Sequence, residues 1–240
     1  MQEVTTDGLI YRLLRYSDRS AVALAFSPDY GKLKLFVPKA FSSKGGFMTF
    51  VPGSISFHKK ASSDLHKFVA FSHSADYYFY TQTPEIMMRM HLIYDLYEQL
   101  FHVEERCKVL WQLSLKFTED NYRELGLYTI YRLLREAGVM FEPQCNCNIT
   151  TGDYKLIDGQ LFCASCLPEL SMRPAFGAKA IPTTAETVTL LQNFGDNSRF
   201  RGMSFTDEQE KTLLTIFSSH LDHVLGKQGA LKSLKVFMTM

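Results

Sequence analysis

The sequence predicts an α+β chain in which a small N-terminal β-barrel precedes an α-helical domain carrying an inserted four-cysteine zinc-finger module. Three observations predict it. Apolar residues alternate with period 2 through the first 80 residues, the period changes to about 3.6 from Pro84, and four of the five cysteines fall within residues 145–166. With 240 residues, 46% of them hydrophobic and 21% charged, the chain can bury the core of one large domain or two modest ones. The expected boundaries are 1–80 for the barrel and 81–240 for the helical domain, with the zinc module at about 142–170.

Five short strands are expected, at 9–14, 21–26, 32–37, around 46–56 and at 67–72. Ser27-Pro28-Asp29-Tyr30-Gly31 has hairpin chemistry: Pro28 presets a turn and Gly31 can take positive φ. In the following strand Leu33, Leu35 and Val37 face one way and Lys32, Lys34 and Phe36 the other. One face is then core, and the opposite face sets two cations beside an aromatic ring, a pairing that suits nucleic acid. The segment from Pro38 to Gly46, with Lys39, Phe41 and Lys44, reads as a weakly basic loop able to follow a phosphate backbone. The run Tyr77-Tyr78-Phe79-Tyr80 offers either base stacking or packing between domains.

Pro84 fits the first position of a helix over 85–102. Further helices are expected at 104–118 and 121–137, the last stopped by Gly138. Beyond the cysteines, 173–182 reads as irregular chain. Thr183-Thr184-Ala185-Glu186 offers a capping box for a short helix to about Phe194, and Thr206-Asp207-Glu208-Gln209 opens a longer one ending at Gly226. Leu213, Phe217, Leu221 and Leu225 form the apolar stripe of that helix.

Cys145-x-Cys147 and Cys163-x-x-Cys166 flank a 15-residue loop containing Gly152 and Gly159, a spacing that brings two knuckles onto one tetrahedral ion. The first knuckle has one intervening residue, so its backbone must turn tightly. Four thiolates fill a zinc shell and leave no position for substrate, which makes the site structural. Disulfides or uncomplexed thiols are the competing readings. No basic region followed by an apolar signal segment opens the chain, and no apolar run approaches bilayer length, so a soluble cytoplasmic protein with reduced thiols is expected. Cys107, set in a helical pattern, reads as a packed thiol.

The net charge of +1 hides an asymmetry. Residues 1–80 carry ten Lys/Arg against six Asp/Glu, and residues 81–240 carry 16 against 19. No phosphate-binding Gly-rich loop and no dinucleotide fingerprint is present. The histidines are scattered; His220 and His223 share a helical face with no acidic partner at metal-ligand spacing and read as partly exposed. Enzymatic chemistry is therefore disfavoured.

The order of these features resembles the RecO family of bacterial recombination mediators. The residues that carry the likeness are Ser27-Pro28-Asp29-Tyr30-Gly31-Lys32-Leu33, Tyr131-Arg132-Leu133-Leu134-Arg135-Glu136-Ala137-Gly138, and Leu225-Gly226 with Leu231-Lys232-Ser233-Leu234-Lys235. Each motif is loose, and their order and spacing span essentially the whole chain. The resemblance implies an N-terminal OB-fold that binds single- and double-stranded DNA without turnover. It further implies annealing of complementary strands, capture of the C-terminal tail of single-stranded DNA-binding protein, loading of RecA with RecR, and a nucleoid-associated location. On this reading Lys32, Lys34, Lys39 and Lys44, with Arg12, Arg15 and Arg19, neutralise phosphates, while Phe36 or Phe41 stacks a base. Arg132 and Arg135 either rim a groove for the acidic tail or form surface ion pairs with neighbours such as Glu136. The other function classes left open are a zinc-stabilised protein adaptor and an OB-fold RNA-binding factor.

Overall fold

The computed structural model describes residues 2–41, 47–60, 63–145, 147, 152–157, 160–166, 180–196, 200, 203–226, 229 and 233. They divide into two compact units, residues 1–129 and 130–240. Residues 84–129 therefore group with the N-terminal strands. Residue 80 marks a change of element type, while the division between units falls inside a helix.

The first unit opens with five strands: β1 (Gln2–Arg15), β2 (Ala21–Ser27), β3 (Gly31–Val37), β4 (Gly53–Lys59) and β5 (Leu65–His73). They pair in the order β1-β2-β3-β5-β4, and β4 pairs back to β1. All pairings are antiparallel except β3 with β5. β1 is long enough to serve two partners: its first half lies against β4 and its second half against β2. The change of partner falls at Gly8, where a Cβ would stand 2.3 Å from the Phe26 carbonyl oxygen. Only glycine permits that approach. Sequence periodicity finds the second half of β1 and misses the first, because Gln2 to Asp7 is mostly polar and only Thr6 there is buried.

The core enclosed by these strands alternates small and large residues. Ala21, Ala23 and Ala25 on β2 face Val37, Leu35 and Leu33 on β3, and Ile10, Ala40, Ile55 and Phe57 complete the cluster. The predicted turn is present, with Gly31 at φ 70°. Its organiser is Ser27, whose hydroxyl accepts from the backbone N–H groups of Asp29 and Tyr30. The fourth strand begins at Gly53 rather than near 46.

A bulge in β1 between Ile10 and Arg12 leaves both Tyr11 and Arg12 facing away from the interior that Ile10 and Leu13 help fill, and Tyr11 is buried on that outer side. Tyr11 stacks on Tyr94 at 5.3 Å, and Phe26 packs against Tyr94, Tyr97 and Trp111. This aromatic layer joins the strands to α1 (Pro84–Leu100) and α2 (Lys108–Ser114). Residues 104–107 are not helical, since Glu104 has φ 68°, so α2 is shorter than its periodicity suggests. The Tyr77–Tyr80 run forms a 3-10 turn, Ala75–Thr81, whose Tyr80 is buried and donates to the Ser114 carbonyl at 2.7 Å. Packing therefore takes Tyr80 out of the stacking candidates. α3 (Tyr122–Glu136) follows and is stopped by Gly138.

The second unit holds a small sheet that periodicity did not reveal: β6 (Tyr154–Ile157), β7 (Gln160–Cys163) and β8 (Ile181–Thr183), in the order β7-β6-β8. These strands have three or four residues, too few to establish a period. Two helices follow, α4 (Ala185–Phe194) and α5 (Asp207–Leu225). The expected box on α5 forms: Thr206 accepts from the Gln209 N–H, and the Gln209 side chain accepts from the Thr206 N–H. On α4 the cap is Thr184, not Thr183, and Glu186 accepts from the Gln209 amide of α5. No helix among the described residues is long and apolar enough to cross a membrane.

Candidate metal centre and nucleic-acid surface

Cys145, Cys147, Cys163 and Cys166 converge, with all four Sγ atoms within 4.8 Å of one another. The β6–β7 hairpin supplies one side: Cys163 ends β7 opposite Tyr154, and a turn closed by Cys166 N–H on the Cys163 carbonyl at 3.0 Å swings Cys166 back. The other side is the chain after Pro143, whose carbonyl accepts from Gln192 of α4 at 2.9 Å. The Cys163 N–H donates to Cys145 Sγ at 3.4 Å, and Cys147 Sγ lies 3.5 Å from Cys145 Sγ and 3.3 Å from Cys163 Sγ.

In a tetrahedron with metal–sulfur bonds of about 2.3 Å the sulfurs are about 3.8 Å apart, so these separations suit a single ion. Hydrogen bonds from Cys147 and from the Cys163–Cys166 turn bring the Cys163 thiol down to about 6, overcoming its burial. Burial pushes the Cys145 thiol up, but the bonds from Cys147 and Cys163 outweigh it and leave it lowered. Cys166 is pushed up by its hydrogen bonds to the other three thiols. A cation would discharge that competition by taking all four as thiolates. Cys145 and Cys163 are buried and Cys147 is exposed. Cys107 is buried at the start of α2 in the other unit.

The basic candidates separate into engaged and exposed groups. Lys32 is turned to α1, donating to the Glu98 carbonyl at 2.6 Å and lying 5.6 Å from the centre of the Tyr97 ring. Desolvation lowers its pKa despite the nearby Glu98 and Glu105. Arg12, at the β1 bulge, pairs with Asp95 of α1 at 3.5 Å. The face expected to be open along the whole of β3 is thus covered by α1 at its Lys32 end. Sequence alternation assigned the face but carried no information about the helix that packs on it.

The Phe36 end is uncovered. Cross-strand neighbours make one row on that outer face: Leu14, Val22, Phe36 and Lys67, with Lys34 two residues along β3 from Phe36. Lys34 and Lys67 are exposed, and Lys67 adds a cation to those named from the sequence. Beside this row stand Arg15, the last residue of β1, and Tyr16 and Arg19 of the turn between β1 and β2, all exposed. The Phe41 N–H reaches the Arg19 carbonyl at 3.5 Å, and the Arg15 guanidinium lies 5.8 Å from the Phe41 ring centre. Lys39 is exposed with φ 59°, an uncommon conformation for a residue with a side chain. Arg15 also contacts Asp18 at 3.4 Å across solvent, a weak attachment. Lys44 lies outside the described residues.

Phe36 is half-buried, and the Tyr16 ring meets it edge to face at 5.5 Å. That contact makes Phe36 a support. Arg132 forms an i,i+4 pair with Glu136 at 3.0 Å, one of its two expected roles. Arg135 is exposed, donating to the Tyr131 hydroxyl at 3.3 Å and lying over that ring. His220 departs from its expected exposure: it is buried, hydrogen-bonded through Nε2 to the Val139 carbonyl and in contact with Phe141. The Leu231–Lys235 stretch lies outside the described residues except for Ser233. No protein-family model matches the sequence, and no curated protein matches it.

Proposed function

We propose that the chain is a non-enzymatic DNA-binding protein that acts as a recombination mediator of the RecO kind. The observation that carries this reading is the outer surface around Phe36. Five cations, Arg15, Arg19, Lys34, Lys39 and Lys67, adjoin exposed aromatic rings there, against Asp18 and Asp64. Such a surface attracts phosphates without reading base edges. Two strands bound on it repel each other less and keep their bases free to pair, which is the physical requirement for annealing. Five strands pairing in a cycle also suit an OB-fold.

The metal in this reading is zinc. Four thiolates are a soft donor set that fills its tetrahedral shell, so the ion braces the hairpin and takes no part in chemistry. RecR, RecA and the acidic tail of single-stranded DNA-binding protein enter as partners through the resemblance in sequence order. Of the two arginines proposed for the tail, Arg135 is the more accessible.

A strand-annealing and binding series across salt, with and without single-stranded DNA-binding protein, tests the proposal. Affinity for a labelled single strand falls steeply with salt, and each of Arg15→Ala, Lys34→Ala and Lys67→Ala lowers the log–log slope by about 0.7. Lys32→Ala leaves the slope unchanged, because its ammonium is held by α1. A salt-independent affinity, or an unaltered slope in the combined variant, overturns the assignment in favour of a protein adaptor.

A further inference from the structure

Among the large apolar and aromatic residues of the chain, Tyr16 is the most exposed of those described, at 68%. It stands at the start of a five-residue turn, Tyr16 to Ser20, whose backbone is internally bonded. Tyr16 and Ser17 N–H groups both reach the Ser20 carbonyl, at 3.0 and 3.1 Å, and the Ser17 hydroxyl accepts from the Ser20 N–H at 3.1 Å. The ring is therefore carried by an ordered turn. Its aromatic contact among the described residues is with Phe36, at an interplanar angle of 86°, which leaves most of the ring in solvent. Phe41, 49% exposed, adjoins the same turn and is tied to it through Arg15 and Arg19.

Singly exposed apolar side chains are ordinary, but here two solvated rings, Tyr16 and Phe41, lie among the cations Arg15 and Arg19. Rings between cations are what unpaired bases require, since every base offers a π-face, whereas bases stacked within a duplex do not. We propose that Tyr16 and Phe41 form a stacking pair that makes this surface prefer unpaired bases to duplex and to bare backbone. The proposal rests on the nucleic-acid reading above and assigns selectivity to two residues at the turn, with Phe36 supporting Tyr16 from beneath.

The test compares three labelled probes on the full-length protein: an oligothymidylate, an abasic strand of equal length and a duplex. The wild type binds oligothymidylate about tenfold more tightly than the abasic strand, the scale of one stacked base. Tyr16→Ala with Phe41→Ala removes that preference while the abasic affinity and the salt slope persist, and Tyr16→Phe retains it. A 2-aminopurine base in the strand is quenched by the wild type and not by the double variant. Equal wild-type affinity for the thymidylate and abasic strands overturns the stacking pair but leaves the electrostatic surface standing. Equal losses on both probes in the double variant do the same. Failure of the wild type to bind any probe overturns both the stacking pair and the nucleic-acid reading.

Discussion

Single residues here behave differently from what their types suggest, because neighbours set their ionisation. His220 is the clearest instance. Burial lowers its pKa below the ordinary 6.5, its bond to the Val139 carbonyl opposes this, and His223 adds to the lowering. With Nε2 donating to Val139, a second proton would go to Nδ1, which is buried without a partner. The native state thus binds fewer protons than the unfolded chain as pH falls through about 6.5. The stabilisation is complete above that pH and is lost on acidification toward the lower native pKa. We expect the urea midpoint of the second unit to fall between pH 7.5 and 5.5, and His220→Gln to reduce that fall. Equal pH dependence in both proteins would count against it. The sequence showed His220 one turn from His223 and could not show Val139 and Phe141 closing over it.

Secondary-structure elements were legible where their chemistry is local. The Thr206–Gln209 box, the Ser27–Gly31 turn and the stop at Gly226 depend on residues within a few positions of one another, and all are present. Elements set by distant contacts were not. The first half of β1 is a strand because β4 pairs with it, and β6 to β8 are held as a sheet beside the cysteine cluster. The same contrast sets stability. Thr206→Ala removes one cap bond and should cost about 1 kcal/mol. At Gly31 the φ is 70° and a Cβ would stand 2.6 Å from the Glu105 carbonyl oxygen, so both backbone conformation and tertiary contact oppose alanine. Gly31→Ala should therefore lower the urea midpoint of its unit by more than Thr206→Ala lowers that of its own. A smaller effect at Gly31 would mean that the α1–α2 connection yields readily.

For the whole molecule, the cysteine cluster and the basic surface belong to different compact units. A structural ion contributes its binding free energy to the unit that holds it. Stripping the protein with a strong thiol-competing chelator should release about one zinc per chain and lower the unfolding temperature of the second unit. Single-strand affinity and its salt slope should be largely kept by the first. Loss of binding in step with metal release would instead place the cysteine cluster within the nucleic-acid site.

Residue type and short spacing were enough to find the cysteine cluster, the alternation of β3 and the caps and stops of the helices. They also placed the cations in the first third of the chain. Which of those cations are available follows from packing alone. α1 lies on one end of the β3 face and engages Arg12 and Lys32, while the turn at Tyr16 and the segment to Phe41 leave the other end open. Alternation gives a side chain its face. What covers that face depends on contacts between residues far apart in the chain, such as Lys32 with Glu98 and Arg12 with Asp95, which no local pattern encodes.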